Sequence, residues 1–138
     1  MLNLDTHVLV YALDGNVSAP ERRLLAEHSW SISAIVLWEL AKLSQRKRIV
    51  LDLTSPDFTR ALSRIHIWPL DLNICNKIAE LDFQSDPADE IIAATSIVHR
   101  VPLLSRGAPP QCRGGQSIGW DRQAVGGARE RKRRYEGR

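Results

Sequence analysis

The chain has 138 residues, of which 43% are hydrophobic and 25% charged, and its formal net charge is +3. This length supports one domain with its own core, and the composition excludes collagen-like and repeat proteins. No apolar run approaches the roughly 20 residues of a membrane span, and the first residues lack the pattern of a secretory leader, so we expect a cytoplasmic protein without membrane contact.

The charge is divided unevenly along the chain. Residues 106–138 contain nine Lys and Arg against three Asp and Glu, whereas residues 1–105 contain ten against thirteen. The same C-terminal segment holds seven of the eight glycines and only two Leu, Ile or Val residues. Such a segment buries too little apolar surface to offset its ordering entropy. We therefore predict one domain over residues 1–106 and a basic, Gly/Arg-rich, poorly ordered tail over residues 107–138.

The apolar pattern predicts strands that alternate with helices. In chain order it predicts strand "MLNLD", helices "THVLVYAL" and "ERRLLAEH", strand "WSISA", helices "AIVLWELAKLSQRKR" and "SPDFTRALSRI", strand "IHIWPL", helices "DLNICNKIAELDF" and "DPADEIIAATSIVHR", and strand "VPLLS". Prolines at the first helical position support three of these helix starts: Pro20, Pro56 and Pro87. Four short strands separated by helices indicate an α/β fold with a mostly parallel sheet covered on both faces.

Four acidic residues lie close to the ends of predicted strands. Asp5 ends the first strand, and Glu39 lies about one turn into the helix that follows the second. Asp86 and Asp89 lie in the first turn of the helix that leads to the last strand. Ligands of open α/β sheets gather beyond the carboxyl ends of the strands. The topology is therefore compatible with all four acids meeting at one edge of the sheet.

A cluster of carboxylates indicates a cation. Carboxylates about 5 Å apart repel by roughly 3 kcal/mol per pair at an effective dielectric constant of about 20, so a cluster would protonate or separate unless a cation lay between its members. Oxygen ligands suit Mg²⁺ or Mn²⁺, and the lack of paired Cys and His residues argues against zinc. Such a cation commonly orients a water and stabilises charge on phosphate oxygens. The residues therefore predict metal-assisted phosphodiester hydrolysis.

Each acid also has a purely structural interpretation. Asp5 could cap the first helix. Glu39 could be a solvated helix residue, although its mostly apolar surroundings favour burial with a partner. "DPAD" resembles a capping box, with Asp86 as the N-cap and Asp89 three residues later. The prediction of a site therefore depends on the ordered set of acids and not on any one of them.

Other chemically distinctive side chains are interpreted as structural. Three are expected in the core, namely Trp38, Trp68 and Cys75, and Trp30 is expected to be partly exposed. Three histidines have no partner at metal-ligand spacing, so we assign them to the surface or to satisfied core positions: His7, His66 and His99.

Three segments resemble the PIN-domain ribonucleases, and most closely the VapC-type toxins of bacterial toxin–antitoxin pairs. They are "LDTHVLVYAL" at residues 4–13, "SISAIVLWELAKL" at residues 31–43 and "DPADEIIAATSIVHRVPLLSR" at residues 86–106, in the order and at the spacing of the family. The resemblance implies a three-layer α/β/α sandwich with a mostly parallel central sheet, and Mg²⁺- or Mn²⁺-dependent cleavage of RNA. It also implies a small cognate antitoxin that blocks the site, and frequent homodimers.

The resemblance also assigns roles to individual residues. Three acids match the catalytic, metal-binding positions of the family: Asp5, Glu39 and Asp89. Three further residues match supporting positions, an acid of a "DPxD" subgroup and two hydroxyl groups: Asp86, Thr6 and Ser105.

The chain departs from the family at Gly107. The family typically reads "LLTRD" or "LVTAD" at this point, whereas the chain reads "LLSRG", so a fourth acid is missing. Asp121 lies too far along the chain to replace it, and "QSIGWD" is a faint candidate for the final strand of the family. The abrupt change suggests a reading-frame shift or a diverged end. We expect weakened ribonuclease activity; the alternative is an inactive remnant that binds antitoxin or RNA without cleaving.

Overall fold

A computed structural model describes residues 1–106. The predicted tail, Gly107 and the "QSIGWD" segment lie outside the described residues. The elements are, in order, β1 (Leu2–Leu4), α1 (Thr6–Asp14), α2 (Ala19–Glu27), β2 (Trp30–Ser33), α3 (Ala34–Gln45), α4 (Pro56–Leu62), β3 (His66–Trp68), α5 (Leu72–Ala79), α6 (Pro87–His99) and β4 (Leu103–Leu104). Within these residues, the type and order of every predicted strand and helix are confirmed.

The strands form one parallel sheet in the order β3-β2-β1-β4. Leu2 pairs with Trp30 across β1 and β2, and Leu4 pairs with Leu104 across β1 and β4. After β3 the chain crosses the sheet to reach β4, so the direction of the connections reverses beside β1. Such a reversal opens a crevice at the carboxyl ends of the central strands. The predicted α/β fold with a parallel sheet is confirmed.

Side-chain caps begin five of the six described helices. The capping groups accept hydrogen bonds from backbone N–H groups and belong to Asp5, Ser18, Ser33, Ser55 and Asp71. Helix α6 differs, because Asp86 makes no such bond. Its first turn is held by Glu90, whose carboxylate accepts a hydrogen bond from the Ser85 N–H at 2.9 Å. The capping-box interpretation of "DPAD" is therefore wrong.

The hydrophobic core lies between the sheet and the helices, and its buried residues come from nearly every element: Leu2, Leu4, Val8, Leu9, Leu25, Ile32, Val36, Leu40, Phe58, Ile65, Ile92 and Leu104. A buried polar contact joins α6 to β1, since Asn3 Nδ2 donates to Ser96 Oγ at 2.8 Å. Both side chains are buried, so this hydrogen bond favours one position of α6 relative to the sheet. Among residues 1–106, no helix is long and apolar enough to cross a bilayer.

Two residues predicted in the core lie on the surface. Trp38 is 55% exposed, because α3 turns Val36 and Leu40 inward and the position between them faces away. Cys75 is exposed, one residue after the buried Ile74 of α5. Both predictions are wrong because apolar residues occur on more than one face of these helices, and the pattern alone does not say which face is inward.

The remaining aromatic residues and histidines are closer to expectation. Trp68 is partly buried and stacks on the His99 ring, with the ring centroids 3.8 Å apart. The assignment of His99 to the surface or to a satisfied core position is wrong, because its buried Nε2 has no hydrogen-bond partner among the described residues and its ring is held by stacking. Trp30 is partly exposed, as predicted, and His7 and His66 lie on the surface.

A bidentate ion pair joins the last described residue to α2. Arg106 Nε and Nη2 each lie 2.8 Å from a different carboxylate oxygen of Glu21. The same guanidinium lies 3.9 Å above the Tyr11 ring, and Nη2 donates to the backbone oxygen of Asn16 at 2.9 Å. We call this set of contacts the Glu21–Arg106 clasp. It holds the end of β4 against α1 and α2.

Glu21→Gln is expected to lower the free energy of unfolding by about 2 kcal/mol at pH 7, because a largely buried guanidinium loses its countercharge. Burial raises the pKa of Glu21, but the hydrogen bonds from Arg106 and Ser18 outweigh it and bring the pKa below its ordinary value of 4.5. The contribution of the clasp is therefore complete above pH 4.5 and is lost as the pH falls through the lowered pKa. Urea unfolding of both chains at pH 7 and at lower pH measures this. A difference in stability that does not shrink on acidification would contradict the ionic origin of the effect.

Candidate active site

Asp5 lies at the point where the ends of β1 and β4 meet. Its backbone N–H donates to the Leu104 oxygen at 3.2 Å, and its carboxylate accepts from the Val8 N–H at 2.8 Å. The capping interpretation is therefore confirmed. Burial raises the pKa of Asp5, and hydrogen bonds from the Ser105 hydroxyl and the Val8 N–H only partly offset this effect. The negative charge of Asp89 raises the pKa further. A carboxylate that caps a helix is thus also placed where ionisation is disfavoured.

Glu39 approaches the same region from α3. Its side chain is half-buried, and Thr6 Oγ1 donates a hydrogen bond to Glu39 Oε1. Glu39 therefore has the expected partner, although it is half-buried and not fully buried. Burial is the main cause that raises the pKa of Glu39; the Thr6 hydroxyl lowers it, and the charges of Asp89 and Asp5 raise it. Glu39 and Asp5 therefore lie within electrostatic reach of each other.

Asp89 brings a third carboxylate from the first turn of α6. It is exposed, and its Oδ2 accepts a hydrogen bond from Ser85 Oγ at 3.2 Å. Its charge acts on both Asp5 and Glu39. Asp86 is also exposed and its side chain does not cap the helix, so its supporting role stays a prediction. Acids from three distant segments thus lie near one another at the carboxyl edge of the sheet.

Each of the three carboxylates accepts a hydrogen bond from a hydroxyl group. The pairs are Ser105 with Asp5, Thr6 with Glu39, and Ser85 with Asp89. Hydrogen bonds of this kind favour the ionised form and fix the orientation of a carboxylate. Ser85 was not predicted as part of the site. Its position directly before "DPAD" is the only signal of it in the sequence.

His7 is a second site residue that the sequence did not predict. It is exposed, as expected, but its charge lowers the pKa of both Asp5 and Glu39. The imidazole therefore lies at the edge of the acid cluster, although it has no partner at metal-ligand spacing in the sequence. Its location two residues after Asp5, in the first turn of α1, is the feature that indicates this role.

The donor set suits a hard cation, but the carboxylates stand apart. Among residues 1–106, no three Asp, Glu, His or Cys side chains are arranged as a metal site. Within the same range, none of the three acids forms an ion pair with Lys or Arg. Each of the three carboxylates instead accepts a hydrogen bond from its own hydroxyl group. Two buried or half-buried carboxylates whose pKa values are raised, and which have no Lys or Arg partner among residues 1–106, are the observation that fits a divalent cation.

Thr6→Val is expected to shift the acidic limb of any cation-dependent activity to higher pH. The hydroxyl of Thr6 lowers the pKa of Glu39. Its removal therefore raises that pKa, and the carboxylate ionises only at a higher pH. Loss of such a partner lowers metal affinity or activity by about tenfold. Valine has nearly the same shape as threonine, so the fold is retained. The pH–rate profile measures the shift, and Thr59→Val, at an exposed hydroxyl of α4, is the control. An unmoved acidic limb would contradict the role of Thr6.

Three comparisons with known proteins bear on this arrangement. The family model described as PIN domain matches residues 3–108. A toxin–antitoxin complex from Klebsiella pneumoniae is similar in fold, with a TM-score of 0.62 and 20% identity over 83% of this chain and 92% of that one. VapBC2 from Rickettsia felis, bound to a promoter DNA fragment, gives a TM-score of 0.57 and 23% identity over 78% and 88%.

The structure of FitAcB from Neisseria gonorrhoeae gives a TM-score of 0.55 and 21% identity over 78% of this chain and 88% of that one. No curated protein matches the sequence. At these identities the solved structures establish a shared fold and nothing finer. The family model covers most of the chain and includes the segments that carry Asp5, Glu39 and Asp89. The chain therefore belongs to the PIN-domain family.

Proposed function

We propose that the chain is a metal-dependent endoribonuclease toxin of a toxin–antitoxin pair. Asp5, Glu39 and Asp89 are proposed to hold one Mg²⁺ or Mn²⁺ ion. The observation that carries this proposal is the proximity of the three carboxylates at the carboxyl edge of the sheet, where the charge of Asp89 raises the pKa of both Asp5 and Glu39. Membership of the PIN-domain family supports it, since the matched range, residues 3–108, contains all three acids that the sequence resemblance assigns to metal-binding positions.

The acids, the hydroxyl groups and His7 have different proposed roles at the site. When bound, the cation would stabilise negative charge on phosphate oxygens and orient the attacking water. The acids supply the negative charge that attracts it, and the hydroxyl groups of Thr6, Ser85 and Ser105 orient them. His7, exposed at the edge of the cluster, places an imidazole where an RNA phosphate would approach.

The missing acid sets the expected level of activity. Three carboxylates with water molecules complete the oxygen shell of one hard cation. A fourth acid would bind a second cation or orient the water, and Gly107 supplies none. We propose a slow nuclease for this reason. The alternative, favoured by the same observation, is an inactive protein that binds antitoxin or RNA without cleaving.

A protein partner is part of the proposal. The solved structures of similar fold include a toxin–antitoxin complex, VapBC2 and FitAcB. We propose by analogy that a small antitoxin covers the acid cluster, and that the chain forms homodimers. The chain purified alone and with the product of an adjacent small reading frame would show which assemblies form.

Cleavage of end-labelled single-stranded RNA by the purified full chain tests the enzymatic proposal. We expect slow cleavage with Mg²⁺ or Mn²⁺, none with EDTA, and none by an Asp5→Asn variant prepared in the same way. The variant controls for contaminating nucleases. RNA binding without cleavage by the unmodified chain would select the inactive alternative. Equal cleavage by both chains would show that the acid cluster is not the active site.

A further inference from the structure

The Glu21–Arg106 clasp is the most extensive polar contact outside the acid cluster among residues 1–106. It joins residues 85 positions apart through two N–H···O bonds of 2.8 Å. The Tyr11 ring and the backbone oxygen of Asn16 also contact the guanidinium. A bidentate pair of this kind fixes direction as well as distance. The end of β4 is therefore attached to α1 and α2 in one orientation.

Contacts other than those with Arg106 also fix the position of Glu21. The residue is only 7% exposed. Its Oε2 accepts from the Ser18 N–H at 2.7 Å, and its own N–H donates to Ser18 Oγ at 3.4 Å. This reciprocal capping box ties the carboxylate to the start of α2. Arg106 thus binds to a fixed anchor and not to a mobile surface acid.

Ser105 lies between the clasp and the acid cluster. It directly precedes Arg106, and its hydroxyl donates to the carboxylate of Asp5. The backbone bond from Asp5 to Leu104 brings the two strand ends together. Strand β4 has only two residues and pairs with β1 alone among the described strands, so its ladder does little to orient Ser105 and Arg106. The clasp supplies the second attachment.

We propose that Glu21 and Arg106 are positioning residues, which hold the Ser105 hydroxyl against Asp5 and thereby increase the affinity of the acid cluster for a divalent cation. This inference rests on the proposed function. Without the clasp, the segment after β4 samples more orientations and the hydroxyl contacts Asp5 for a smaller fraction of the time. The Asp5 carboxylate is then less well oriented toward a cation.

A purely structural role for the clasp predicts lower stability but no specific dependence on Ser105. The positioning role predicts that the effects of Glu21 and Ser105 on cation affinity are not additive, because one residue acts through the other. Mn²⁺ affinity is the suitable measurement, since it does not require turnover. The electron paramagnetic resonance signal of unbound Mn²⁺ reports it directly. Unfolding curves identify a temperature at which every variant is folded.

We expect Glu21→Gln and Ser105→Ala each to raise the Kd for Mn²⁺ by about tenfold. Glu21→Gln should have almost no further effect in the Ser105→Ala background. Asp57→Asn, which removes an exposed ion pair with Arg60 on α4, is the matched control and should leave the Kd unchanged. Arg106→Lys keeps the positive charge but loses the bidentate hydrogen bonds to Glu21, so it should also raise the Kd for Mn²⁺, by a smaller factor. It also serves if Glu21→Gln does not fold.

Two results would overturn the positioning role alone. One is an unchanged Kd in Glu21→Gln and Arg106→Lys when the unmodified chain binds Mn²⁺. The other is a Glu21→Gln effect that is just as large in the Ser105→Ala background. A different result would overturn the proposed function and the positioning role together, namely an unmodified, folded chain that binds no Mn²⁺. The three outcomes are distinguished in one titration series.

Discussion

Asp5→Asn is expected to abolish cation-dependent RNA cleavage without lowering the stability of the metal-free fold. Loss of one anionic ligand removes several kcal/mol of charge stabilisation, which corresponds to a decrease in rate of at least about 100-fold. Asparagine keeps the acceptor oxygen that receives the Val8 N–H at 2.8 Å, and it caps helices as well as aspartate does. The variant therefore separates the two roles of Asp5.

The raised pKa of Asp5 determines whether the Asp5→Asn variant is more or less stable than the unmodified chain. The pKa of Asp5 is raised above the ordinary value of 3.8, chiefly by burial. A carboxyl group of this kind costs stability at every pH above its folded-state pKa, and the cost disappears as the pH falls below its ordinary value. The Asn variant should therefore exceed the unmodified chain in stability at pH 7, and the difference should shrink on acidification.

Urea unfolding with EDTA at pH 7 and pH 4 measures the difference in stability. The same experiment with Mn²⁺ adds a second contrast. A cation at 100 times its Kd stabilises the folded chain that binds it by about 2.7 kcal/mol, so the unmodified chain should gain stability and the Asn variant should not. A metal-free Asn variant that is clearly less stable at pH 7 would show that the charge of Asp5 is structural, and would remove the main argument for a cation.

The fold could be predicted well from the sequence because its signals are local. Strand β1 ends at an acid that caps α1, and Pro87 marks the start of α6. Parallel strands present their carboxyl ends at one edge, so topology alone brought Asp5 and Glu39 together. Which helix face lies inward is not a local property. The exposed Trp38 was misassigned for that reason.

The contacts that orient the site could not be predicted, because they join distant positions without a pattern. The link between Glu21 and Arg106 spans 85 residues, and neither residue is unusual in its own segment. The hydroxyl partners differ in this respect. Thr6 and Ser105 were found by resemblance to the family, whereas Ser85 belongs to a loop whose role depends on how α6 begins. Local chemistry thus predicts the acids of the candidate site, and tertiary packing decides which groups hold them in place.

Gly107→Asp is expected to increase the rate of RNA cleavage by roughly 10-fold to 100-fold, the usual range for a residue that supports a metal ligand. The substitution restores the acid that the family carries after "LLTR", two residues beyond Ser105 and one beyond Arg106. Because the clasp holds Arg106, the added acid would directly follow a residue of fixed position. Initial rates with Mg²⁺ and with Mn²⁺ measure the gain.

Two controls decide what a gain would mean. Gly107→Asn changes the backbone and side-chain volume in the same way but adds no charge, so it should not increase the rate. Gly107→Asp combined with Asp5→Asn should stay inactive, because a fourth acid assists the cluster and does not replace its first member. An unmodified chain that already cleaves as fast as Gly107→Asp would show that three carboxylates suffice. If neither chain cleaves although both bind Mn²⁺, the defect lies beyond position 107, and the chain acts as a binding protein.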